Sequence, residues 1–260
     1  MPPKVIATAI EKVYETAVGP FTAIHDFSLT VDDGEFVCIV GPSGCGKSTF
    51  LRIVAGLDQQ SDGTVLIVPG SDPRKPTNNV VFQEYAIFPW KTLLDNVAFG
   101  LQMRGIGKAA RYAVALDWLE RVGLRKFAHY YPHQISGGMK QRVSIARALA
   151  NDPEVLLMDE PLGALDAQTR TVLQEELLRI WEANRKTVIY ITHSLDEAIL
   201  LGDRVVLMTA TPGTCKEIFT VDLPRPRTIE LTGSAAYTDL KLKIWESLRV
   251  EVDRAMEAQR

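Results

Sequence analysis

The chain has 260 residues, 46% of them hydrophobic and 23% charged, with a formal net charge of −3. That is enough apolar material for a sizeable core in one large domain or two small ones, and the slight negative balance gives no support to a phosphate-neutralising nucleic-acid surface. No run of about 18 apolar residues occurs and the opening MPPKVIATAIEK has no apolar signal core, so neither a membrane span nor export by a secretion signal is expected. Cys38, Cys45 and Cys215 are odd in number and lack CxxC spacing, which argues against a disulfide framework and a zinc site and fits a reducing compartment.

In chain order, FSLTV (27–31) and TVLIV (64–68) are short alternating runs beside glycine turns and predict an antiparallel layer. EFVCIV (35–40) is apolar on both faces, as are VLLMD (155–159), TVIYIT (187–192) and RVVLM (204–208). Strands of that kind are covered on both sides by helices, which predicts an α/β core with a largely parallel sheet. Between residues 91 and 133 strand signals vanish and Leu116, Leu119 and Val122 recur at helical spacing, the texture of an inserted helical subdomain. A further helix carries Met139, Val143, Ala146 and Ala150 on one face. After TPGT (211–214) come one more strand-like run, a PRPR spacer and a last helix with Leu240, Ile244 and Leu248 on one stripe. The expected organisation is one domain over 1–260, with a core in 1–86 and 151–215, a helical part in 87–150 and an extension in 216–260.

GPSGCGKS, Gly41 to Ser48, fits G-x-x-x-x-G-K-[ST] directly after a strand and before the helical run STFLRIVAGL. Glycines let successive backbone N–H groups turn inward around an anion, and the helix N-terminus adds its positive dipole end. The candidate phosphate-binding residues are Gly41, Ser43, Gly44, Cys45, Gly46, Lys47, Ser48 and Thr49, with Lys47 supplying a mobile charge and Ser48 a hydroxyl for Mg²⁺. Cys45 lies near the helix N-terminus, a setting expected to lower its thiol pKa. Asp159 ends an apolar strand where it can reach the metal shell through water, and Glu160, one position on, is the candidate for orienting and deprotonating an attacking water. Ser136-Gly137-Gly138 precedes a helix as an N-cap, with glycines expected to permit close approach of another molecule. This makes a second anion-binding helix end, suited to the γ-phosphate of a partner's nucleotide.

On these motifs the chain resembles the ATP-binding subunits of ABC transporters over nearly its whole length. The resemblance implies a P-loop NTPase fold of ABC type with ATP and Mg²⁺ as cofactors. ISGGM (135–139) corresponds to the family's LSGGQ, with Met139 in place of the amide side chain. Gln83 corresponds to the loop glutamine that touches Mg²⁺ and couples to the membrane subunit, and His193 to the histidine that contacts the γ-phosphate. Asp166 falls in the loop that crosses the dimer interface, and Tyr14 on the aromatic that stacks on adenine, with Phe21 a second candidate. The implied partners are a second copy of the chain, transmembrane permease subunits and, indirectly, a periplasmic or lipid-anchored solute-binding protein, with no nucleic acid. The implied location is the cytoplasmic face of the inner membrane. FPWKTLLDNVAFGLQMRG (88–105), the Met-bearing motif and the tail together resemble importers of nitrate, sulfonates, taurine or bicarbonate. An ABC ATPase acting on nucleic acid or ribosomes is the alternative, against which stand the lack of a heptad run between Ser48 and Ser136 and the single phosphate loop.

Overall fold

The structure, a computed structural model, describes residues 2–258, so the first residue and the last two of the expected span lie outside the described residues. The elements in order are β1 (Pro3–Thr16), β2 (Gly19–Asp32), β3 (Phe36–Val40), α1 (Lys47–Val54), β4 (Asp62–Ile67), β5 (Asn78–Val81), α2 (Leu93–Met103), α3 (Lys108–Arg121), α4 (Gly137–Ala150), β6 (Val155–Asp159), α5 (Ala167–Asn184), β7 (Thr187–Ile191), α6 (Leu195–Leu201), β8 (Arg204–Met208), β9 (Cys215–Thr220) and α7 (Ala235–Glu257). They form two compact units, one of residues up to Val68 together with those from Lys186 onward, the other Pro69–Arg185.

In the first unit β1 lies between β2 and β4 in an all-antiparallel layer, with Val5 opposite both Val31 and Ile67. The hairpin is far longer than the short runs suggested by the sequence. Ala9 and Asp26 sit at φ 48° and 45°, and the register shifts around Ala7 and Ile10. Such bulges break the alternating pattern while the ladder continues, so periodicity alone reads the strand as interrupted. Beside it, β7, β3 and β8 pair in parallel, with Phe36 opposite Val188 and Cys38 opposite Val205, and β9 closes the edge antiparallel to β8. Every residue of β3 and β7 is buried, as two-sided apolar strands require. Phe27 of β2 and Phe50 of α1, both fully buried, lie 4.5 Å apart between ring centres and tie α1 to the layer.

The tail packs on its own unit. Arg225 reaches Asp203 and the Leu201 carbonyl, and Arg227, almost fully buried, donates to the carbonyls of Ile199, Gly202, Val221 and Leu223. The PRPR spacer thus covers the C-terminal carbonyls of α6, which a helix end leaves without intrahelical partners. On α7 the inward residues are Tyr237, Ile244, Leu248 and Glu251, and Leu240 is only half-buried. Tyr237 donates its hydroxyl to Asp196 at the start of α6.

In the second unit β5 and β6 pair in parallel, Asn78 opposite Val155 and Val81 opposite Met158. Helices α2, α3 and α4 pack together, and the stripe of α3 consists of Ala115, Trp118, Leu119 and Val122, with Leu116 displaced to its margin. From Gln141 to Ala150, α4 is buried around most of its circumference, where one face had been expected. Its small residues Ser144, Ala146, Ala148 and Ala150 allow neighbours on several sides. The fold class is α/β with mainly parallel strands, an antiparallel layer and a helical insertion, as the sequence predicts.

Candidate nucleotide site

Strand β3 delivers the chain, fully buried, into the loop 41–46, and α1 starts at Lys47. Gly44 and Gly46 adopt φ 78° and 99°, left-handed conformations that favour glycine. Close packing adds a second demand. A Cβ on Gly46 would stand 2.9 Å from the Ala23 carbonyl oxygen, and one on Gly41 2.9 Å from Cys45 Sγ. Lys47 is 6% exposed, and its ammonium donates to the carbonyls of Gly41 and Pro42, both at 2.9 Å. The expected mobile charge is therefore folded across the mouth of its own loop. A left-handed loop leading into a helix N-terminus, with one cation held there by two neutral carbonyls and a thiol, fits a polyphosphate substrate. Ser48 and Thr49 are half-buried in the first turn of α1, while Ser43 and Gly44 are exposed.

Cys45 corrects the sequence expectation. It is 1% exposed, with Sγ 3.8 Å from Lys47 Nζ, and burial pushes its thiol up despite that neighbouring cation. Desolvation disfavours a thiolate more than one ammonium, already shared by two carbonyls, stabilises it.

Tyr14 stands directly across the hairpin from Phe21, which is 47% exposed. The Tyr14 hydroxyl donates to Asp58 at 2.7 Å, and Lys12, itself bonded to Asp58 at 2.6 Å, lies 4.6 Å from the Tyr14 ring centre. The Lys12 contact holds the Asp58 carboxyl below its usual range. These partners fix the ring through its edge and one cationic neighbour. His193 is exposed between β7 and α6. The turn carrying it is set by Glu197, 4% exposed, which accepts from Tyr190 at 2.9 Å and Thr192 at 2.7 Å. Glu197 was missed in the sequence, although Ser194-Leu195-Asp196-Glu197 has capping-box spacing, and Ser194 caps the Glu197 amide at 3.3 Å.

In the second unit Asp159 and Glu160 lie at the end of β6, half-buried, and Glu160 adopts φ 44°. A non-glycine residue in the left-handed region is uncommon, and Glu160 shares it with Ala9, Asp26, Ala86, Asp152 and Arg185 among the described residues. The Glu160 carbonyl accepts from Gly163 N at 3.0 Å, and Gln83 Nε2 lies 3.6 Å from the point where a Cβ on Gly163 would stand, so Gln83 adjoins the turn that follows Glu160. Gln83, Tyr85, Pro89, Pro132, Lys140 and Ala164 help line a cavity of about 640 Å³.

Ser136 caps α4 as expected, accepting from Met139 N at 3.4 Å. The glycines behind it have neighbours within this chain. A Cβ on Gly137 would meet the Tyr85 hydroxyl at 2.7 Å, and one on Gly138 would meet Thr169 Cγ2 at 2.7 Å. Asp166 caps α5 by accepting from Thr169 N at 3.0 Å, which holds its carboxyl below the usual range. Asp166, Thr169 and the Ser-Gly-Gly turn are thus gathered at one place, a juxtaposition invisible in a sequence where they lie some thirty residues apart.

The sequence model described as ABC transporter matches residues 24–163. An uncharacterized ABC transporter ATP-binding protein of Methanocaldococcus jannaschii is 48% identical over 250 residues, covering 95% of this chain and 92% of that protein. A bicarbonate transport ATP-binding protein, CmpD of Synechocystis, is 50% identical over 84% of this chain and 79% of its own. The nitrate import ATP-binding protein NrtD of Synechococcus elongatus is 48% identical over 84% and 81%. Among solved structures, the dimeric bacterial ABC transporter cassette MJ0796 superposes with a TM-score of 0.73 at 32% identity, covering 85% of this chain and all of that one. The same cassette in a dimeric post-hydrolysis state bound to ADP and Pi gives 0.73 at 33%. With the phosphate loop, the acid pair and the capped Ser-Gly-Gly helix already in place, these likenesses identify the chain as a member of the ABC transporter family, an ATP-binding and ATP-hydrolysing cassette.

Proposed function

We propose that this cassette energises import of a small anion, of the class that includes bicarbonate, nitrate, sulfonates and taurine, by closing over ATP as a dimer and reopening after hydrolysis. The observation that carries the reading is the 48–50% identity, across most of both chains, to ATP-binding proteins named for bicarbonate transport and nitrate import. Two copies pair head to tail, each ATP held between the Lys47 loop of one and the Ser136 helix end of the other, because a polyanion neutralises both positive termini. Asp166 lies beside that helix end, so the loop crossing the interface and the phosphate-facing turn move together.

Within one chain, Lys47 and the backbone amides of Gly41–Ser48 other than Pro42 bind phosphate, and Tyr14 stacks on the adenine ring. Ser48, Asp159 and Gln83 supply the oxygen donors suited to Mg²⁺, which when bound neutralises charge on the phosphates. Glu160 accepts the proton of the attacking water, and His193 contacts the terminal phosphate. Among the described residues no helix is long and apolar enough to cross a membrane. On this reading the cassette attaches to the cytoplasmic face through permease subunits, with a solute-binding protein acting on their far side.

Co-purification tests the transport reading. In a detergent extract of the source cells, the tagged chain should bring down a hydrophobic multi-span protein. Recovery of ribosomes or nucleic acid in its place would overturn it. Tyr14→Ala should weaken ATP binding by about tenfold, from loss of base stacking worth about 1–3 kcal/mol, with Tyr14→Phe close to the parent. Equal affinity of the alanine variant and the parent, measured by titration calorimetry, would remove Tyr14 from the site.

A further inference from the structure

We propose that the loop 209–214 is a positioning element for the phosphate loop, in which Thr211 and Gly213 fix the orientation of two of its peptide units and Glu251 of α7 holds the loop against them. The proposal rests on the reading of Gly41–Ser48 as the phosphate binder and adds residues that no motif assigns.

Thr211 Oγ1 donates to the Gly44 carbonyl at 3.0 Å. Gly213 packs so tightly on the next carbonyl that a Cβ there would stand 2.0 Å from the Cys45 oxygen. In a trans peptide the C=O and the following N–H point in opposite directions. Holding the oxygens of Gly44 and Cys45 on the outer side of the loop therefore aims the amides of Cys45 and Gly46 to its inner side. In this structure Cys45 N does point inward, toward the Pro42 oxygen at 3.4 Å. Two adjacent inward amides form the start of an anion-binding nest.

The positioning loop is itself rigid. Thr209 N donates to Thr214 O at 3.1 Å, Thr214 N to Thr209 Oγ1 at 3.0 Å, and Thr209 Oγ1 to Pro212 O at 3.0 Å. Gly213 exchanges 3.0 Å bonds with the β2 backbone, its N–H to Ala23 O and its carbonyl from His25 N. Ala23 O is also the atom that excludes a side chain at Gly46, so β2 backs both loops. From the other side, Glu251, fully buried, accepts from Ala210 N at 3.0 Å while pairing with Lys216 at 2.7 Å and Arg254 at 3.0 Å. Ala210 is the residue before Thr211. The last helix is thereby linked through one carboxylate and one hydroxyl to the peptide of Gly44.

The test compares ATP affinity and steady-state hydrolysis in the purified full chain. Thr211→Val, which keeps the shape and removes the donor, should raise the Kd and KM for ATP about fivefold with kcat within about twofold, since one neutral hydrogen bond is lost. Thr211→Ser should recover the parental values. Glu251→Ala should weaken ATP binding about tenfold, and Glu251→Gln, whose amide oxygen still accepts from Ala210 N, should recover most of it. If Glu251→Ala does not fold, the Thr211 pair decides alone. Parental affinity in Thr211→Val, or failure of Thr211→Ser to rescue, overturns the proposal. A parent chain that binds no ATP overturns instead the reading of the phosphate loop on which it stands.

Discussion

Glu160→Gln is expected to lower ATP turnover by about two to four orders of magnitude, the usual contribution of a positioned general base, while ATP binding persists. Gln keeps the length and shape of the side chain and loses the basic oxygen, so the change isolates proton transfer from packing. The backbone at Glu160 is held in the left-handed region and pinned by the Gly163 amide. A side chain on so constrained a backbone has few directions available, which keeps the substituted amide where the carboxylate was. With hydrolysis blocked, the shared nucleotide persists, and light scattering should record a dimer in excess ATP and a monomer without it. A variant that hydrolyses ATP at the parental rate removes Glu160 from its role, and one that stays monomeric in excess ATP contradicts the clamp between copies.

Lys47→Ala should weaken ATP binding by about two orders of magnitude, as expected for two hydrogen bonds to charged oxygens at about 1.5–3 kcal/mol each, less the bonds already made in the free protein. Those bonds are the ones to the Gly41 and Pro42 carbonyls. Lys47→Arg should not restore affinity, because the larger planar fork does not fit where Lys47 as a whole is only 6% exposed. Calorimetric titration with ATP decides it, and unchanged affinity in Lys47→Ala would place the phosphates elsewhere.

Much of the architecture was legible because it rests on local pattern. β3, β6, β7 and β8 are short apolar runs buried on both faces, and the glycine spacing of the phosphate loop reflects backbone conformations that few other residues adopt. What escaped depends on contacts between distant segments. The thiol of Cys45 looked activated by a helix end, but its burial dominates it. Gly137 and Gly138 also have Tyr85 and Thr169 of the same chain close by, so that a Cβ on either would clash. Tyr14 read as the aromatic that stacks on adenine, and its partners Lys12 and Asp58, the latter more than forty positions away, had no signal in the sequence. The bulges at Ala9 and Asp26 hid a continuous strand, and the polar contacts of α7 fall on a helix whose apolar stripe alone was visible.

With Lys47 as the proposed phosphate contact, its bonds to the Gly41 and Pro42 carbonyls make nucleotide capture an exchange rather than a simple addition. An entering anion must displace two neutral oxygens already well placed, so it gains only the excess of its charge over their dipoles. A weakly charged ion such as chloride gains little by that trade, whereas a triphosphate that also engages several amides gains at many points together. The resting loop thereby discriminates by valence before any feature of the base is read.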